Sequence, residues 1–372
     1  MRIFHIQSSG AQELDAIPAE PPAQGYVWIA CARPVFQAQL AEVQAALLRL
    51  TGLQLVDLHV ADLLNTQLPS HYDYTSQYDL LVFRRLTTAP PGEDAVAPPT
   101  PPRRGGPPVL RRIDTSAVGF AVFDNVLLTV HPGDCSVRDA YAARLLAPAP
   151  SDPREGRANP TASGVRKPAS PADLMLRVVN LMVDAYLDLR REIARQLEHW
   201  QTELLKPRAR YVNWSSLLEA RLSLHALDEI CEDQRTAVQD WIDALETWAV
   251  PETTAGLREL DLLKVRSRDV LEHIERVVHH VHRMEQNTET AVQMHFSVQG
   301  NRTNDIMRTL TALTAVFLPL NLIAGIFGMN FEFIPLIHKQ DGFWWAMGSM
   351  ITIAVVLVAV FWRKRYLART GS

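Results

Sequence analysis

Residues 304–330 read Asn-Asp-Ile-Met-Arg-Thr-Leu-Thr-Ala-Leu-Thr-Ala-Val-Phe-Leu-Pro-Leu-Asn-Leu-Ile-Ala-Gly-Ile-Phe-Gly-Met-Asn. From Thr309 to Phe331 no side chain is charged. That run is longer than the roughly 20 apolar residues needed to cross a hydrocarbon layer of about 30 Å, so it reads as a transmembrane helix. Asn304, Met307, Thr311, Thr314, Leu318, Asn321, Gly325 and Gly328 recur at alternating steps of three and four. On a helix they form one stripe of small, polar and flexible residues. Ile306, Leu313, Val316, Phe317, Leu320, Ile323 and Phe327 occupy the opposite face and suit lipid or neighbouring helices. A polar stripe within hydrocarbon must face protein or water. Small residues alone would serve close helix packing; two asparagines on the stripe and a third at its end favour a water-lined path.

Outward toward the C-terminus, 331–342 reads as a short loop and Phe343 to Trp362 as a second uncharged span. Trp344, Trp345, Phe361 and Trp362 sit at its two ends as interfacial anchors. Arg363, Lys364, Arg365 and Arg369 follow, Arg302 and Arg308 precede the first span, and the loop has one basic residue, Lys339. The positive-inside rule then predicts cytoplasmic termini, an external loop and a basic cytoplasmic tail over 363–372. Two spans cannot surround a pore, so a wet stripe demands several copies in a ring.

Outward toward the N-terminus, the helical pattern runs from Thr254 into the span with no breaker before Gly300. At 1.5 Å per residue that helix is of order 100 Å long. Val270, Ile274, Val277, Val281 and Met284 make a coiled-coil seam that must pack on the preceding helices or on copies of itself. Leu174–Leu205 and Trp214–Trp248 read as two long amphipathic helices, the first opened by Ser170-Pro171-Ala172-Asp173. Residues 1–150 read as an α/β domain with strands at Arg2–Ile6, Tyr26–Cys31 and Tyr78–Leu86. Helices are predicted over Val35–Leu50 and Asp57–Asn65, and a hairpin over Gly119–Phe123 and Asn125–His131. A proline-rich insert at 89–108 and a linker at 151–170 have the composition of flexible segments. His131, Asp134 and Cys135 lie close together, but Pro132-Gly133 reads as a turn and Ser136 with Asp139 as a capping box.

The predicted fold is thus an α+β cytoplasmic domain, a mixed sheet with flanking helices, then a long-helix stalk over 171–303 and a two-helix membrane hairpin with its first helix at 304–330. A net charge of −4 gives no basic surface for nucleic acid. Cys31, Cys135 and Cys231 are odd in number and widely spaced, which fits a reducing compartment. Met1 to Gly25 lacks the continuous apolar core of a cleavable leader. No phosphate loop, nucleophile elbow or zinc-peptidase helix is present, so an enzyme is not the expected class.

The end of the first span, Phe327-Gly328-Met329-Asn330-Phe331-Glu332, with Phe317-Leu318-Pro319-Leu320 and Leu322-Ile323-Ala324-Gly325-Ile326 before it, resembles the CorA family of divalent-cation channels. That family's signature is Gly-Met-Asn closing the first of two transmembrane helices. The resemblance covers the hairpin and the long helix before it strongly, and the N-terminal third weakly. It implies an inner-membrane homopentamer in lipid, with Mg2+ as both transported and regulatory ion, Co2+ or Ni2+ as further cargo, and no organic cofactor. Gly328, Met329 and Asn330 would form the selectivity filter, and Asn304, Met307, Thr311, Thr314, Asn321 and Gly325 would line the pore. Leu310 and Leu318 would close it as apolar rings, and Glu332 would stand in the external loop. Asp269, within Arg268-Asp269-Val270, matches the acid that binds regulatory Mg2+ in CorA-like channels. The chain departs from the pattern where partner acids would fall near Ala89 and at Gln293, and where Leu336 replaces a second loop acid. Two other readings remain: a zinc transporter of the ZntB-like branch, from which the intact methionine of Gly-Met-Asn differs, and a membrane-anchored oligomeric scaffold. His279, His280 and His282 read as a solvated helix face or, if they bind metal, as a site for zinc, nickel or cobalt.

Overall fold

The computed structural model describes residues 1–87, 113–147, 167–204, 214–329 and 341–363. The proline-rich insert, most of the 151–170 linker, Asn330, the loop with Glu332 and the tail beyond Arg363 lie outside them. The chain divides into two compact units, Met1–Glu289 and Thr290–Ser372.

The first unit is built on a seven-stranded mixed sheet of order β2-β1-β3-β7-β6-β5-β4. The strands are β1 (Arg2–Ile6), β2 (Ala11–Leu14), β3 (Tyr26–Ala32), β4 (His71–Tyr74), β5 (Asp79–Leu86), β6 (Thr115–Val122) and β7 (Val126–His131). Only β3 and β7 pair in parallel; every other neighbour pair is antiparallel. These two central strands are buried almost throughout, as expected when helices cover both faces. On one face, α1 (Arg33–Ala38), α2 (Leu40–Thr51) and α3 (Asp57–Leu64) bring Phe36, Val43, Leu47, Val60 and Leu63 onto Val27, Ile29, Leu80, Leu128 and Val130. On the other face lie α4 (Ser136–Leu146) and α5 (Pro171–Leu204). There Trp28 stacks on Phe4 at 4.8 Å and donates from Nε1 to Thr129 Oγ1 at 3.0 Å.

Two expectations need correction. The helix predicted over Val35–Leu50 is two helices that meet at Gln39, whose φ of −110° and ψ of 22° depart from helical values. The capping box of Ser136 and Asp139 does not form. Cys135 holds the cap position with no side-chain cap bond, and the Asp139 carboxylate is drawn to Arg2 and Arg138. The reciprocal cap appears at α5 instead, where Asp173 N–H donates to Ser170 Oγ at 3.4 Å and Ala169 N–H donates to Asp173 Oδ2 at 3.1 Å.

The helix α6 (Trp214–Thr247) and α5 both hook onto β5 through one acceptor: the Tyr186 hydroxyl and Gln234 Nε2 donate to the Arg84 carbonyl at 2.9 and 2.8 Å. The long helix α7 spans Thr254–Phe327 and passes from the first unit into the second. Its seam of Val270, Ile274, Val277, Val281 and Met284 is buried within the chain. Trp241 of α6 donates to Ser267 of α7 at 3.0 Å, and Asp173 of α5 pairs with Arg266 of α7. The preceding helices therefore fill this face, the first of the two options open from sequence.

In the second unit, the remainder of α7 is followed by α8 (Gly342–Arg363). Among the described residues these are the two helices long and apolar enough to cross a membrane.

Candidate functional site

The stripe first read from sequence is open along the C-terminal part of α7. Asn304, Met307, Thr311, Thr314, Leu318, Asn321, Gly325 and Gly328 are all exposed, as is Leu310. Ala312 is buried, and Ala315, Val316, Pro319, Leu320, Ile323 and Phe327 are half-buried. On α8, Ala346, Met350, Ile353, Ala354, Leu357 and Phe361 form a matching half-buried stripe. Each helix thus has one covered face, and on α7 it is the side away from the polar residues. Ile306, Leu313 and Phe317 remain exposed, as a surface for lipid or another chain requires.

Two details of the stripe have chemical consequences. Thr311 and Thr314 donate their hydroxyl hydrogens to the carbonyls of Met307 and Leu310 at 2.8 and 2.9 Å. Each hydroxyl then turns oxygen lone pairs outward and acts as an acceptor, which suits the water shell of a cation. At the helix end, a Cβ on Gly328 would stand 3.1 Å from the Ala324 carbonyl oxygen, which is already taken by Gly328 N–H. A side chain there would press on the turn that delivers Met329. Asn330 and Glu332, expected at the mouth, lie outside the described residues.

Asp269 stands on a second polar face, within the first unit. On α7, Arg266, Asp269, His273 and His280 follow at helical spacing; on α5, Asp173, Arg177, Asn180 and Asp184 do the same. Arg144, Arg177, Asn180, Asp184, Arg266 and Asp269 are among the residues that line a cavity of about 420 Å3. Burial pushes the Asp184 carboxyl up; His273 opposes this, and Asp188 and Asp269 add like-charge repulsion. His273 Nε2 lies 3.9 Å from Asp269 Oδ1. Asn180 Oδ1, His273 Nδ1 and His280 Nε2 are buried and find no hydrogen-bond partner among the described residues. The acid that shares this cavity with Asp269 among the described residues is Asp184, which the sequence reading did not single out. The signal was present, because Asp173, Asn180 and Asp184 repeat at steps of seven and four beside an apolar seam.

The remaining candidates have structural roles. His131 is buried and its Nδ1–H donates to the Pro132 carbonyl at 2.7 Å. Burial keeps the Cys135 thiol protonated, and the Asp134 carbonyl accepts from buried Arg85 at 3.0 Å. His282 Nε2 meets Asp228 Oδ2 at 3.1 Å between α7 and α6, away from His280. Among the described residues, no three His, Cys, Asp or Glu side chains are placed to hold a metal ion together.

A family model described as CorA-like Mg2+ transporter protein matches residues 24–365. Over 200 residues the chain is 26% identical to the cobalt/magnesium transport protein CorA of Thermotoga maritima, covering 52% of each. The chain thus spans about half the length of that relative. It is 22% identical over 264 residues to the magnesium transport protein CorA of Campylobacter jejuni strain RM1221, covering 69% of this chain and 71% of that protein. The solved CorA magnesium transporter from Methanocaldococcus jannaschii superposes with a TM-score of 0.69 at 18% identity, over 100% of this chain and 98% of the other. Full-length CmaX superposes with a TM-score of 0.65 at 17% identity, over 98% and 97%. At those identities the structural likeness establishes the fold.

Proposed function

The chain belongs to the CorA-like Mg2+ transporter family, and from that premise we propose that it conducts hydrated Mg2+ inward through a ring of identical chains. The observation that carries this reading is the open stripe from Asn304 to Gly328, set opposite the covered face of the same helix. Copies arranged around an axis, five by family resemblance, would turn these stripes toward a shared wet path. The hairpin would sit in the inner membrane with both termini cytoplasmic. Transport, not catalysis, is the activity assigned, with Co2+ and Ni2+ as candidate further cargo.

Mg2+ gives up its waters reluctantly. Amide oxygens of Asn330 at the mouth, then of Asn321 and Asn304 deeper in, accept hydrogen bonds from those waters without stripping them. The outward lone pairs of Thr311 and Thr314 do the same. Gly325 and Gly328 let backbone carbonyls approach the ion, with Met329 between filter glycine and filter amide. Leu310 and Leu318 would close the path by excluding water. A membrane potential contributes about 2.3 kcal/mol per charge per 100 mV, and twice that for a divalent ion.

Regulatory Mg2+ fits the face between α5 and α7. Asp269, Asp184 and the unpartnered Asn180 Oδ1 are oxygen donors, the kind Mg2+ selects, and an ion that keeps several waters needs only one or two carboxylates. Such an ion would relieve the repulsion between Asp184 and Asp269 and hold the two helices together. The test is Mg2+ and Zn2+ flux into liposomes carrying the purified chain. Asn330→Ala should abolish most Mg2+ entry. Flux equal to the parent's would remove Asn330 from the filter, and Zn2+ carried in preference to Mg2+ would favour the zinc branch.

A further inference from the structure

The first unit holds a second cavity, of about 1050 Å3, far larger than any single hydrated ion requires. It lies between the turns joining β4 to β5 and β6 to β7 on one side and the end of α6 with the start of α7 on the other. Its walls are aromatic. Tyr72 stacks on Tyr74 at 6.0 Å between centroids, and Tyr78 on Phe123 at 4.8 Å. Behind them Trp241, buried and anchored through its indole to Ser267, stands edge-on to Tyr72 at 5.9 Å and to Trp248 at 5.6 Å. These rings brace one another, so the wall is preformed.

Among the described residues, the charged groups lining this cavity have one sign. Asp73, Asp79 and Asp124 stand on the sheet side, and Asp240, Asp243 and Glu259 on the helix side, whereas among the described residues no lysine, arginine or histidine lines it. Asp73 is met by His59 at 3.1 Å from outside. Asp79 accepts from a neutral donor, the Tyr72 hydroxyl at 2.5 Å, and Asp243 likewise accepts from Gln239 Nε2 at 2.8 Å. Burial raises the Asp79 carboxyl, the Tyr72 bond opposes this and Asp124 adds repulsion. Among the described residues, no three of these acids converge as a metal cage would demand. Negative charge spread over two facing walls, with aromatic faces between, matches positive charge spread along a flexible chain. Ammonium groups gain both from carboxylates and from aromatic faces, and the volume is that of a site for a small organic molecule.

We propose that this cavity binds an alkyl polyamine, whose ammonium groups engage the carboxylates of the two walls while its methylenes lie over Tyr72, Tyr74 and Trp248. Binding is measured directly, so its failure leaves the transport reading untouched. The experiment is calorimetric titration of the full chain in detergent with spermine, in buffer free of divalent ions. Saturable binding with one spermine per chain is expected. Asp243→Asn and Glu259→Gln, both at the partly open helix wall, should each weaken it about tenfold, the loss of one charge-assisted contact. Trp248→Ala should weaken it several-fold. Glu232→Gln, on α6 but outside the cavity, should leave it unchanged. Absence of saturable binding, or wall variants that bind as the parent does, overturns the proposal. Equal weakening by Glu232→Gln overturns it too, because attraction would then be diffuse.

Discussion

Replacing Asp173 with asparagine should loosen the first unit. The carboxylate belongs to a residue only 3% exposed. Arg177 Nε and Nη2 donate to it at 3.2 Å each, Ala169 N–H at 3.1 Å, and the Arg266 guanidinium completes the set. Asparagine keeps the shape but removes the charge that draws both guanidiniums together, and turns an NH2 toward one of them. Breaking a buried pair by deleting one partner costs roughly 3–5 kcal/mol. Arg266 is 32% exposed at its side chain, so water recovers part of that and the expected loss is about 3 kcal/mol. At roughly 2–4 °C per kcal/mol for large domains, the melting temperature should fall by about 6–12 °C. Tryptophan fluorescence of the full chain in detergent during a thermal ramp reads this directly. Adding Arg266→Met to Asp173→Asn should cost less than the sum of the two single changes, since both remove the same ion pair. A single variant that melts within about 2 °C of the parent would show that water already screens the cluster, and the reasoning would fail.

His131 makes stability depend on acid. Burial, aided by Arg138 and Arg85 and opposed by the bond to Pro132, pushes its imidazole down to about 4, so the fold favours the neutral ring. Its contribution is complete above the unfolded value of about 6.5 and is lost as pH falls toward 4, at most about 3 kcal/mol in all. His131→Asn should flatten denaturation midpoints across that window, and an unaltered pH slope would assign the loss to other groups. Asp184→Asn and Asp269→Ala should each raise roughly tenfold the Mg2+ concentration that protects the full chain from trypsin; unchanged midpoints in both would remove this face from regulation. Gly25→Ala should cost at least about 2 kcal/mol, because φ there is +79° and the new Cβ would stand 2.1 Å from the Ile6 carbonyl oxygen. Wild-type melting in that variant would mean the turn can rearrange.

The helical two-thirds of the fold was legible because its signals are local. Uncharged length marked α8, and heptad spacing at Val270 to Met284 marked the buried seam of α7. The short edge strands β2 and β4, Ala-Gln-Glu-Leu and His-Tyr-Asp-Tyr, were not anticipated, because neither alternates apolar with polar residues clearly enough. Asp139 illustrates how local pattern misleads: its carboxylate serves Arg138 beside it and Arg2, 137 positions away, and not the cap of its own helix. An acid to face Asp269 was expected from the family resemblance near Ala89, which lies outside the described residues. The helix periodicity of α5 pointed to Asp184, but only packing against α7 gives that periodicity a meaning.

The parallel pairing of β3 with β7 sets a schedule for synthesis. Val27 must find Val126, so the middle of the sheet stays open until about a third of the chain has emerged. The first membrane span begins near residue 304, and at about 5–20 residues per second a ribosome needs roughly ten to thirty seconds to travel from the end of β7 to that point. Within that interval the sheet can close in water before any span needs lipid. Lesions in β3 or β7 should therefore show as aggregated nascent chains, upstream of any defect in membrane insertion.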